Sequence, residues 1–235
     1  MSRVAIMQPY FFPYLGYFQL IASVEKFIVY DDVAFIKQGW INRNRILVDG
    51  SAHTFSIPID DLSSFRLIKD TEVNGRLFPK WKSKFLKTID MEYIKAPHFE
   101  AARSMIERAV SVESKSIARM AVESILEVSS YLGLTTRMIL SSRGYKNEFL
   151  KGRDRVIDIC KKESAESYIN VPGGMELYTK EDFEREGIEL KFIKPVLKPY
   201  SQFGKDFCPG LSRIDVLMFN SPETCRQLVR EVELN

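Results

Sequence analysis

Residues 4–32 read VAIMQPYFFPYLGYFQLIASVEKFIVYDD, and the change of texture along them decides the fold class. Val4 to Met7 is a short β-prone apolar run that stops at Gln8-Pro9, because proline cannot donate to a central ladder. After a loop of prolines and aromatics, Leu15 to Val24 carries apolar residues at helical spacing. Phe27 to Tyr30 is then a second buried-strand run, ending at Asp31-Asp32. The unit is strand, loop, helix, strand, which predicts two parallel strands joined by a crossover helix.

Working outward, Ile41 to Val48 and Ala52 to Ile59 flank Asp49-Gly50, a two-residue hairpin signal. From Lys80 to about Leu132 the period turns helical. Trp81, Phe85, Leu86 and Ile89 share one face, and Ile117 to Leu132 is closed by Gly133. Strand and helix patterns then alternate again: Met138 to Leu140, Arg153 to Lys162, Ser167 to Val171, Lys180 to Glu186 and Ile188 to Ile193. Two helices, Ser212 to Phe219 and Pro222 to Val232, finish the chain. Alternation of this kind predicts an α/β fold with a mostly parallel Rossmann-like sheet covered on both faces. A β-hairpin and a helical insertion at about 80–133 are added to it. No repeat or linker divides the sequence, so residues 1–235 read as one domain.

Composition narrows the function classes. Lys and Arg total 34 against 31 Asp and Glu, a net charge of +3. That is too weak a field to argue for DNA, although a locally basic pocket stays open. Cys160, Cys208 and Cys225 form no C-x-x-C pair and suit a reducing cytoplasm better than a disulfide framework or a zinc site. No signal-peptide pattern opens the chain, and no stretch approaches the roughly 20 apolar residues of a membrane span. The expectation is a cytoplasmic protein without membrane insertion.

In doubly wound sheets, ligands bind beyond the carboxyl ends of the strands. Those ends are Gln8 to Tyr17, Asp31-Asp32, Ser141-Ser142, Asn170 to Gly174 and Pro199 to Gln202. The first two are expected to converge on one crevice. Gln8, Pro9, Tyr10, Tyr14, Gly16 and Tyr17 would offer backbone N–H groups, phenols and aromatic faces to a sugar or nucleotide. Tyr14-Leu15-Gly16-Tyr17 looks like the His-x-Gly-His of nucleotidylyltransferases, with tyrosines for both histidines. That likeness bears on fold more than on activity. Asp31 or Asp32 would act as general base or hold Mg²⁺, since adjacent carboxylates are costly to bury without a partner. Lys37 to Arg45 is the densest polar and aromatic run. Read as a strand, it puts Trp40, Asn42 and Asn44 on one face and Arg43 and Arg45 on the other. Guanidinium forks would meet phosphate there, with Lys37 as a further catalytic candidate. Gly173 and Gly174 would let a ligand approach backbone N–H groups. His53 and His98 lie in settings that favour structural roles, and Ser212 with Asp215 reads as a helix cap.

The wording of VAIMQPYFFPYLGYFQLI and FIVYDDVAFIKQGWINRNRIL resembles the opening of the WbqC-like family. WKSKFLKTIDMEYIKAPHFE, YINVPGG with the following Tyr178, and KPYSQFGKDFCPGLSRIDVLMFN extend the likeness over nearly the whole chain. Tyr178, Tyr200 and Gln202 join the candidate site through it. The likeness implies a role in bacterial surface-polysaccharide synthesis, O-antigen in particular. Its implied chemistry is transfer of glycine or another small acyl group to the amine of a nucleotide-linked amino sugar. The acyl donor stays open among an adenylate made from ATP with Mg²⁺, a thioester and aminoacyl-tRNA. Two rivals remain: a non-catalytic nucleotide-sugar-binding or assembly protein, and a glycosyltransferase. The sequence departs from the family pattern at Phe85, where a histidine is usual.

Overall fold

A computed structural model describes residues 2–204 and 206–235. Its main sheet has six strands: β1 (Arg3–Met7), β2 (Lys26–Val29), β5 (Arg137–Ile139), β6 (Ser167–Asn170), β7 (Glu189–Pro195) and β8 (Val232–Leu234). Their order is β5-β2-β1-β6-β7-β8, parallel throughout except for β8, which runs antiparallel to β7 at the edge. The expected α/β class with a mostly parallel sheet is what forms. The chain builds outward from β1 to β5, then returns to lay β6 on the other side of β1. That reversal makes the β1/β6 junction the topological switch point, where such sheets open a crevice.

Alternation along each strand divides the core. Val4, Ile6, Ile28, Tyr168, Leu190 and Phe192 face one layer, while Ala5, Phe27, Val29, Ile169 and Ile193 face the other. The first layer is closed by α5 (Gly152–Lys162) and α6 (Lys180–Glu184). The second is closed by α1 (Leu15–Ala22), α7 (Arg213–Phe219) and α8 (Pro222–Arg230), together with the helices α2 (Phe78–Tyr93), α3 (Phe99–Val110) and α4 (Ile117–Tyr131). Full burial of both faces explains why these strands read as continuous apolar runs.

The predicted hairpin forms as β3 (Arg43–Val48) and β4 (Ser51–Ser56), a separate antiparallel pair. Asp49 and Gly50 both take positive φ, 50° and 71°, the conformation that a two-residue turn of this hand requires. One expectation changes here. Residues 37–42 form turns, and the strand starts only at Arg43, so the face-sharing expected for Trp40, Asn42 and Asn44 does not arise.

The loop between β1 and α1 is pinned most tightly at Phe12. Phe12 lies in the left-handed region at φ 43° with its ring fully buried, a costly conformation for a large residue unless its surroundings over-determine it. They do. The Phe12 N–H donates to Ser124 Oγ of α4 at 2.9 Å. Its carbonyl accepts from Asn44 Nδ2 of β3 at 2.6 Å and from Ser212 Oγ before α7 at 2.8 Å. Asn44→Ala would leave the Phe12 carbonyl to Ser212 alone and strip the Phe11 carbonyl and the Arg45 N–H of their Asn44 partner, a loss of about 2 kcal/mol. The expected fall in thermal midpoint is about 4–8 °C for a chain of this size, measurable by calorimetry.

Candidate functional site

The clamped loop projects Tyr10 and Tyr14 away from the sheet toward the start of β3. With Pro13, Trp40, Asn44, Arg45, Leu197 and Gly210 they enclose a cavity of about 250 Å³. Tyr14 fits because residue 16 is glycine: a Cβ there would stand 2.5 Å from the Tyr14 ring. Trp40 turns back over the hairpin, and the Arg43 and Arg45 guanidinium carbons lie 5.4 and 5.7 Å from its ring centroid. Both arginines thus gather on the tryptophan. Arg45 donates to the Gly210 carbonyl at 3.1 Å, and its Nε is buried without a partner. The Arg45 guanidinium is the charged group in the cavity lining, and a guanidinium fork suits an anion. Burial raises the Tyr10 and Tyr14 phenols above their ordinary value, so both stay protonated hydrogen-bond donors at neutral pH.

Other candidates from the same segments have structural work. Tyr17 is fully buried and donates to the Gln8 carbonyl at 2.8 Å, while Pro9 is buried beside it. Asn44 serves the Phe12 clamp. Asn42 Nδ2 donates to the Ile57 carbonyl at 2.8 Å, and Arg43 holds the 38–39 turn through the carbonyls of Gly39 and Gln38. Lys37 is exposed.

Asp31 and Asp32 do not line the tyrosine cavity. Asp32 is buried against Arg155 of α5, with Ser142 Oγ as a second partner. Arg155 Nε in turn donates to Asn147 Oδ1 at 3.0 Å. Asp31 Oδ1 accepts from Ser141 Oγ at 2.8 Å and from the Ser142 N–H at 3.1 Å. Asp31 faces a different cavity of about 220 Å³, shared with Lys69 and Arg119 at the start of α4. Burial lifts its carboxyl above the usual carboxylate range against the opposing pull of those hydrogen bonds. The two ends of the opening segment therefore meet neighbouring hollows and not one crevice.

At the switch point, Gly174 accommodates the buried Asn170, whose Nδ2 would lie 2.3 Å from an added Cβ. Gly173 is exposed, and Tyr178 packs edge-on against Tyr168. Tyr200 and Gln202 converge on a residue read from sequence as part of a cap. Asp215 is buried, and its Oδ1 accepts from the Tyr200 hydroxyl and from Gln202 Nε2, both at 2.6 Å. Its Oδ2 accepts from the Tyr93 hydroxyl at 2.9 Å. Ser212 does cap α7, accepting from the Ile214 N–H at 3.3 Å. Leu197 and Gly210 wall both the tyrosine cavity and the small space in front of Tyr200. Sequence reading missed Leu197, Gly210 and Arg155, which carry no local motif; only Gly210, a glycine at positive φ, had a signal to offer.

Sheet order and strand-end hollows define the class first: an open, doubly wound α/β protein. A sequence profile of the WbqC-like protein family matches residues 8–227, and the chain belongs to that family. It is also similar to uncharacterized protein Rv1507c of Mycobacterium tuberculosis (strain ATCC 25618 / H37Rv). The two are 28% identical over 224 residues, covering 94% of each chain. No solved structure matches.

Two outcomes follow from the acidic pair. Arg155→Ala strips Asp32 of its buried counter-ion and should cost about 3–5 kcal/mol in denaturant unfolding. Asp31 has the opposite pH signature from a salt-bridged carboxylate. Its folded form holds the proton more tightly than the unfolded chain, so its contribution to stability falls as pH rises from about 4 through its raised value. Asp31→Asn should remove that decline. Unfolding curves from about pH 4 to 8 then show the variant gaining on the parent, and parallel curves would contradict the assignment.

Proposed function

We propose that this protein acylates the amine of a nucleotide-linked amino sugar, with glycine or another small acyl group, in bacterial surface-polysaccharide synthesis. The observation that carries the reading is the cavity that brings the phenols of Tyr10 and Tyr14, the Trp40 indole and the Arg45 guanidinium together. Phenol donors and an indole face suit a sugar ring, while the arginine fork suits its phosphate. Family membership supports the pathway through the role that the sequence resemblance implies. Asp31 lies just past β2, the strand hydrogen-bonded beside β1, and lines a hollow of its own with Lys69 and Arg119; in this reading the phosphate is held at Arg45 and the amine end occupies that second hollow. There the amine loses its proton to Asp31 and attacks the acyl carbonyl. The new C–N bond forms as the donor's leaving group departs.

A second reading is a binding or assembly protein that holds the same nucleotide sugar without turnover. Asp32 favours it, because that carboxylate is consumed by Arg155, as do the tyrosines at 14 and 17 where related adenylating enzymes place histidines.

Mass spectrometry of the purified protein incubated with nucleotide amino sugars, glycine and ATP tests the first reading. The expected product is the sugar heavier by one glycyl group. Arg45→Ala should weaken sugar-nucleotide binding about tenfold or more, as loss of a charged hydrogen bond implies. Ligand-induced stabilisation with no product from any donor class would leave the binding protein standing.

A further inference from the structure

On the far side of β3 lies a cleft of about 400 Å³ between the hairpin and α2. None of the residues discussed for the sugar site lines it. Ile46, Phe55 and Phe85 form an apolar floor, and His53, Thr54 and Lys84 are among the polar groups at its rim, with no carboxylate in the lining. The floor is stiffened by aromatic contacts. The Phe55 and Phe85 rings lie 4.8 Å apart, and Phe85 stacks on Trp81 at 5.0 Å with an interplanar angle of 8°.

Three lysines of α2 share one face, while Lys82 turns away to Ser111. Lys80, Lys84 and Lys87 recur at the i, i+4, i+7 spacing that aligns side chains on one helix face, over about 10 Å of axis. All three are exposed, and no ion pair engages them among the described residues; the acidic Asp90 is taken by Arg103. Along the opposite wall, β4 pairs only with β3. Its outer edge therefore offers alternating backbone N–H and C=O groups, the donors and acceptors that read the rim of a planar heterocycle.

We infer that this cleft binds a nucleoside di- or triphosphate. The base lies on the Ile46, Phe55 and Phe85 floor against the open edge of β4, and the phosphates meet Lys84 in the cleft lining, with Lys80 and Lys87 adding positive charge beside it on α2. No residue lines both this cleft and the sugar cavity, so the inference stands independently of the acylation reading. The shared chemistry has two sources, a free nucleotide such as ATP or the nucleotide half of a nucleotide sugar.

Isothermal titration of the full chain with ATP, ADP, UDP, a UDP-hexosamine and inorganic pyrophosphate tests it. Saturable binding of the nucleoside phosphates is expected, weakening with added salt. Lys84→Glu should reduce affinity at least about tenfold, and Thr54→Trp should block the cleft. Both positions are exposed, so circular dichroism should confirm an intact fold. Lys151→Glu, at an exposed lysine outside both cavities, should leave ADP and ATP binding unchanged. Tighter ADP and ATP than UDP-hexosamine assigns a free nucleotide, and the reverse assigns the sugar-linked one. Undiminished binding in Lys84→Glu, an equal loss in Lys151→Glu, pyrophosphate binding as tight as ADP, or no binding at millimolar ligand would each overturn the inference.

Discussion

The arrangement depends on the Phe12 peptide. A buried aromatic at positive φ does not persist on its own preference; Asn44, Ser124 and Ser212 hold both polar groups of this one residue and fix the turn of the loop after β1. Those three side chains come from the hairpin, the helical segment and the C-terminal helices. A single left-handed residue thus joins the added elements to the first strand of the sheet. It also aims Tyr10 and Tyr14 at β3, without which Arg45 and Trp40 would face open solvent.

Around that clamp the molecule concentrates its buried polarity in two knots. In one, Asp32, Arg155, Asn147 and Ser142 satisfy one another beneath the ends of β2 and β5. In the other, Asp215 collects Tyr93, Tyr200 and Gln202. Each knot takes polar groups that look free in the sequence and commits them to structure. Arg45 and Asp31, outside those knots, line the hollows. Placement at a cavity is the property that separates candidate binding groups from supporting ones here, since buried unpaired atoms also occur in Gln19 and Arg213, which line no such hollow.

Much of the fold was legible because it rests on local period and turn chemistry. Two-faced burial wrote β1, β2, β6 and β7 as apolar runs, and Asp49-Gly50 announced the hairpin. The edge strand β8 has only three residues and pairs through its backbone, so no side-chain pattern marked it. The site was legible as a neighbourhood and less so in its parts. Tyr10, Tyr14, Trp40 and Arg45 were readable as polar and aromatic residues at strand ends. Their gathering on one cavity was not, since it requires Trp40 to fold back from a turn and Gly210 to arrive from far along the chain. Asp31 and Asp32 look equivalent in sequence, and only the tertiary placement of Arg155 and Ser141 separates them.

The three partners of Phe12 lie 32, 112 and 200 residues away along the chain. Contacts of such separation form late, after the entropy of closing long loops has been met. During synthesis, the first strand and helix emerge long before the serine at position 212 can leave the ribosome. The tyrosine cavity is therefore among the last parts of the molecule to acquire its shape, and a nascent or truncated chain ending before α7 would carry most of the site's residues without its geometry. The shape of this loop is in that sense a report on the arrival of the segment around Ser212.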